Sequence, residues 1–150
     1  PADKELKPFG ITKKAITLSG IELTEAIANL KLELRKKGEA TELFAEERQK
    51  GSVEGIVGNV MQSFGGKALY PTAEEKAAHL LYFMVKNHPF ADGNKRSGAF
   101  AFVWFLKQAG LLNPARLTAE ALTALTLFVA ESDPKDKAKM VGLVLLLLNS

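Results

Sequence analysis

Leu23, Ile27, Leu30 and Leu34 recur at intervals of four, three and four residues, which gathers apolar side chains on one face of a helix. Ser19 or Gly20 caps this predicted helix, which runs to about Lys37, and Gly38 ends it. Thr41 to Gln49 reads as a short polar helix. After Gly51, Ser52 opens another, with Val53, Ile56, Val57, Val60, Met61 and Phe64 on one broad face. Residues 1–18 show no clean period, and Pro8 and Gly10 mark them as an irregular arm.

The stretch from Phe64 to Pro71 interrupts the helical pattern. Paired glycines, short apolar residues and then proline predict a surface turn or small hairpin. Thr72 and Glu75 form a capping box, in which each side chain satisfies a backbone N–H at the helix start. The helix they open runs to about Asn87, with Ala77, Leu80, Leu81 and Met84 facing the core. His88-Pro89 stops it, because proline lacks an N–H and restricts the residue before it. A new helix starts near Gly93, carries Phe102, Val103 and Leu106, and stops at Gly110. Thr118 caps a further helix to about Glu131, and Asp133-Pro134 opens the last. Trp104 and the phenylalanines around it recur at helical spacing and are read as core. His79, mid-helix among apolar neighbours, is read as a satisfied structural histidine. No internal repeat appears, and the pattern is that of one all-α domain over residues 1–150.

That length is enough to bury a core without disulfides or a structural metal. The chain has no cysteine, which excludes thiolate zinc sites and a cysteine nucleophile and suits a reducing cytoplasm. A net charge of +3 and a pI near 9.1 are mildly basic. The basic residues are scattered, and neither a basic stripe nor a DNA-reading motif supports a nucleic-acid partner. The longest apolar run, Val141 to Leu148, is far short of the roughly 18 residues of a membrane span. It reads as a packing helix, part of which could face another subunit in a homo-oligomer. The chain begins at Pro1 without a methionine, which leaves room for an upstream segment carrying regulation.

Candidate chemistry concentrates in His88-Pro89-Phe90-Ala91-Asp92-Gly93-Asn94-Lys95-Arg96. Gly93 lets backbone approach a ligand closely, and the N–H groups of the helix turn after it have no intrahelical partners. They lie at the positive end of the helix dipole, which makes an anion site. Lys95 adds a point charge and Arg96 a planar fork suited to phosphate oxygens. Asp92 can supply the single carboxylate that Mg²⁺ commonly needs beside phosphates. A histidine's unperturbed pKa lies near neutrality, so a side chain of this type at position 88 can take a proton from an incoming hydroxyl. Pro89 and Phe90 are read as a rigid turn and an aromatic anchor. Gly66-Lys67 is not a phosphate loop, because Met61 and Ala68 stand where that motif needs glycine and a hydroxyl residue.

This segment resembles the signature of the Fic/Doc family, His-Pro-Phe-x-(Asp/Glu)-Gly-Asn-(Gly/Lys)-Arg, at every specified position. The stretch from Phe64 to Pro71 is similar to that family's flap, a hairpin that aligns the target segment. The likeness is specific from about Ser52 to Gln108. It implies a Fic/Doc-type helical bundle with a small β-hairpin flap, and transfer from ATP or another nucleotide triphosphate, with Mg²⁺, to a hydroxyl on a target protein. His88 would be the catalytic base and Asp92 the metal ligand. Gly93, Asn94, Lys95 and Arg96 would bind the nucleotide, and Gly65, Gly66, Lys67, Ala68 and Leu69 the target.

Two departures from the AMP-transferring members bear on the reaction. Lys95 stands where they usually have glycine, and Ala99 where they usually have a second arginine. Both resemble the Doc branch, which transfers the terminal phosphate, although Doc itself usually has alanine where this chain has Gly93. Phosphate transfer is therefore the leading expectation. The alternatives are AMP transfer and a toxin-like module that binds nucleotide or a partner without turnover. The restraining string (Ser/Thr)-x-x-x-Glu-(Gly/Asn) of many members does not occur in these residues, so restraint is expected from an antitoxin-like partner or a further segment.

Overall fold

The structure is a computed structural model that describes residues 17–149. The expected arm at residues 1–18 lies outside these except for Thr17 and Leu18, and Leu18 is buried. Among the described residues there are six helices: α1 (Gly20–Lys36), α2 (Ser52–Met61), α3 (Ala73–Lys86), α4 (Asn94–Gln108), α5 (Ala119–Glu131) and α6 (Lys137–Asn149). A 3₁₀ turn, Pro134–Asp136, precedes α6. The caps fall where the sequence puts them. Ser19 accepts from the Glu22 N–H, Thr118 from that of Ala121, and the Thr72–Glu75 box is complete in both directions.

Helix α3 is the axis of the bundle and packs against α2, α4, α5 and α6. Its Ala77, Leu80, Leu81 and Met84 are fully enclosed, as their spacing predicts, and burial extends nearly all round it. Gly98 on α4 lets the two central helices close up. A Cβ there would stand 2.9 Å from Cγ2 of Val85 and 3.3 Å from Cβ of Met84. The segment joining α3 to α4 is therefore held at the junction of the two best-packed helices.

Between α2 and α3, β1 (Ser63–Phe64) pairs antiparallel with β2 (Lys67–Ala68), Ser63 opposite Ala68 and Phe64 opposite Lys67. Gly65 and Gly66 have φ of +59° and +80°. Two left-handed residues in a two-residue loop are the turn geometry that matches strand twist. The placement of Phe64 on the helical face of α2 is corrected. The helix ends at Met61, Gln62 is extended, and Phe64 is 89% exposed. Turn chemistry prevails over apolar spacing there.

The polar helix expected over Thr41–Gln49 is also absent. That stretch is an irregular strap of turns and isolated bridges whose main-chain groups pair with the α3–α4 loop, bridging Phe44 to Asp92 and Glu47 to Phe90. Ala45 has φ of +56°, which no helix allows. The Glu47 carboxylate instead accepts from the Val53 N–H at 2.8 Å, in the first turn of α2.

His79 is a buried structural histidine. It stacks on Tyr70 with 3.5 Å between ring centroids, and its Nδ1 lies 2.8 Å from the Glu75 carbonyl. Burial, and then the Lys137 ammonium, push its pKa below the ordinary value, outweighing the opposing pull of the Glu75 carbonyl and carboxylate. The unfolded chain therefore takes up this proton first as pH falls. Stability should be level above about pH 6.5, the unfolded value, and decline below it down to the folded pKa. Denaturant unfolding at several pH values should give His79→Gln a flatter profile than the wild type. Parallel profiles would remove His79 as the cause.

Candidate active site

Asn87 caps the C-terminal end of helix α3, and His88 takes a left-handed backbone with φ of +50°. Such a conformation is uncommon outside glycine and carries strain. It turns the chain outward, so that His88 is exposed, while Pro89 and Phe90 are buried directly after it. Phe90 is the anchor that its aromatic character suggests.

The Asn94 amide clamps the main chain of that anchor. Its Oδ1 accepts from the Phe90 N–H at 2.9 Å, and its Nδ2 donates to the Phe90 carbonyl at 3.0 Å. The same Nδ2 lies 3.4 Å from Nδ1 of His88, a contact at the weak end of hydrogen bonding. A neutral ring that accepts there carries its proton on Nε2.

Three main-chain bonds tie the strap to the loop. Ala45 N–H donates to the Asp92 carbonyl (3.0 Å), Ala91 N–H to that of Glu46 (2.9 Å) and Arg48 N–H to that of Pro89 (2.9 Å). Phe44 lies fully buried against Gly93. With φ of +84° and an added Cβ falling 2.4 Å from two carbons of the Phe44 ring, position 93 admits only glycine in this packing.

Gly93 gives α4 no side-chain cap, which leaves the first-turn N–H groups open to a ligand. Arg96 donates from Nη1 to the Glu39 carbonyl at 2.8 Å, and its guanidinium lies 4.5 Å from the centroid of the Phe44 ring. Lys95 is exposed beside it.

His88, Asp92, Gly93, Asn94, Lys95 and Arg96 all border one cavity of about 390 Å³. Arg48 borders it too. A larger cavity, about 540 Å³, lies behind the loop between α1 and the strap, and none of these seven lines it. The five expected flap residues are exposed on the hairpin and line neither cavity at His88. Helix α2 supplies the link: its Ser52, Gly55, Ile56 and Asn59 form a second cavity with His88, and its far end leads into β1.

Asp92 is the one carboxylate on the 390 Å³ cavity, and the described residues contain no group of three acidic or histidine side chains. A lone exposed carboxylate suits Mg²⁺ whose other ligands are phosphate oxygens and water, the usual arrangement for a nucleotide-borne metal.

Sequence reasoning missed Phe44 and Arg48. Arg48 meets the loop 42 residues further along the chain, through Nε to the Phe90 carbonyl at 3.1 Å, and no local pattern announces that contact. A phenylalanine beside Leu43 in a mostly polar stretch was the available signal for Phe44.

A helical bundle with an uncapped helix start, a histidine turn and a glycine hairpin defines the class. The chain belongs to the Fic/DOC family, whose model matches residues 21–106, from α1 through most of α4. No curated protein and no solved structure matches significantly. Membership places the chain among proteins that modify other proteins by nucleotidyl or related phosphoryl transfer. No helix among the described residues is long and apolar enough to cross a membrane.

Proposed function

We propose that this protein transfers the terminal phosphate of ATP to a hydroxyl side chain of a target protein. The observation that carries the reading is the single cavity bordered by His88, Asp92, Gly93, Asn94, Lys95 and Arg96. The open N–H groups of α4, with Lys95 and Arg96, would hold the phosphates. Asp92 would hold Mg²⁺, which supplies charge neutralisation on the phosphate oxygens. His88 would accept the hydroxyl proton as the oxygen bonds to the γ-phosphorus and the bond to the ADP oxygen breaks. The hairpin at Gly65-Gly66, with Lys67, Ala68 and Leu69, would dock an extended target segment by strand addition. A protein substrate and a restraining antitoxin-like protein are the partners this reading implies.

Lys95 and Ala99 favour phosphate over AMP. Lys95 fills the space that a glycine would leave for an α-phosphate and adds a full charge that attracts the γ-phosphate, the most anionic end. Ala99 opens onto an apolar cleft with Leu122, Thr126 and Leu127 and brings no second cation. Incubation with ATP labelled at the α or the γ position, followed by intact-mass analysis of the modified target, tests the assignment. The γ label is expected on protein. A nucleotide adduct would replace this reading with adenylyl transfer, and neither label would favour a binding module. Lys95→Gly, with Ala99→Arg if needed, should move the product towards the nucleotide adduct.

Asp92→Ala should weaken nucleotide binding in Mg²⁺ and leave metal-free binding nearly unchanged. Titrations with and without Mg²⁺ read this directly. An equal metal effect in both proteins would take Asp92 out of the role.

A further inference from the structure

One cation at the site lies outside the signature. Arg48 stands on the strap, fixed to the loop by its backbone N–H to the Pro89 carbonyl and by Nε to the Phe90 carbonyl at 3.1 Å. These bonds use one of the five guanidinium donors. Among the described residues, neither carboxylate nor carbonyl is recorded against the other four. The side chain borders both cavities at His88: the one over the start of α4, and a second of about 500 Å³ lined also by Gln49, Ser52, Asn59 and Asn87. The signature arginine of α4 is less available. Arg96 spends an Nη donor on the Glu39 carbonyl and lies over Phe44, and Ala99 supplies no charge one turn later.

We infer that Arg48 is a second arginine of the phosphate cradle, contributed by the strap, and that it orients the polyphosphate of a nucleotide beside His88. The inference rests on the nucleotide-binding reading above. The bonds to the Pro89 and Phe90 carbonyls hold the fork in place, so little freedom is lost when phosphate oxygens bind its Nη groups.

The test titrates ATP and AMP with Mg²⁺ against the full chain, Arg48→Gln and Arg48→Lys, and measures each thermal midpoint without nucleotide. Losing a charge-assisted bond should weaken ATP about tenfold or more in Arg48→Gln, and AMP much less. Arg48→Lys should recover part of the ATP affinity through charge alone, although it lacks the Nε bond. Added salt should narrow the gap between wild type and Arg48→Gln. A mere brace for the loop predicts instead a lowered midpoint and equal losses for ATP and AMP in both variants, which would overturn the assignment. If the wild type binds ATP and Arg48→Gln binds it equally well, the Arg48 assignment alone fails. If the wild type binds no ATP, the nucleotide reading fails and takes this inference with it.

Discussion

Replacing His88 by alanine should lower transfer by about 10²–10⁴-fold, the usual contribution of a general base, while leaving nucleotide affinity and thermal midpoint close to wild type. The expectation of an intact fold comes from the position itself. The side chain is exposed, and its recorded hydrogen-bond contact is the weak 3.4 Å approach of Asn94. The left-handed backbone is set by the end of α3 and by buried Pro89 and Phe90, which the substitution leaves in place. Single-turnover transfer and nucleotide titration separate the outcomes. Wild-type turnover would remove His88 from the chemistry. A loss of nucleotide affinity as large as the loss of rate would make it a binding group rather than a base.

The second large effect is on stability. Phe44→Ala should cost about 3–5 kcal/mol, typical of truncating a fully buried aromatic side chain, and less where the strap can collapse into the gap. The ring is wholly enclosed, sits against Gly93 and lies beneath the Arg96 guanidinium. Its loss should therefore loosen the strap, the loop and the arginine together, and transfer should fall along with stability. Gly93→Ala in the wild type should be strongly destabilising. In the Phe44→Ala background part of that cost should vanish, because only the left-handed backbone strain remains once the ring is gone. Such non-additivity is the mark of residues in direct contact. Denaturant unfolding of the four proteins supplies the cycle. A Phe44→Ala stability within about 1 kcal/mol of wild type would show that the strap is anchored by its main-chain bonds instead.

Much of the architecture was written locally in the chain. The Thr72–Glu75 box, the apolar face of α3 and the stop at His88-Pro89 involve neighbours within a turn or two, so periodicity and cap chemistry suffice to read them. The hairpin was legible for the same reason, since a Gly-Gly pair permits the left-handed turn it makes. The signature located the candidate site because its residues are consecutive and all but Pro89 and Phe90 border one cavity.

What the tertiary structure alone decided is the surroundings of that loop. Thr41–Gln49 has the polar composition of a short helix, yet four of its hydrogen bonds go to residues more than 40 positions away, and those pairings outweigh local propensity. Phe64 sits at helical spacing from Val60, but Gln62 becomes extended and the glycine turn carries Phe64 into solvent. The glycine at position 93 reads locally as a flexible helix start. Its necessity comes from Phe44, a ring that arrives from a distant part of the chain. Sequence spacing determines which residues share a turn. Which aromatic ring or arginine closes over that turn depends on long-range packing, where each contact is made only after the helices have assembled.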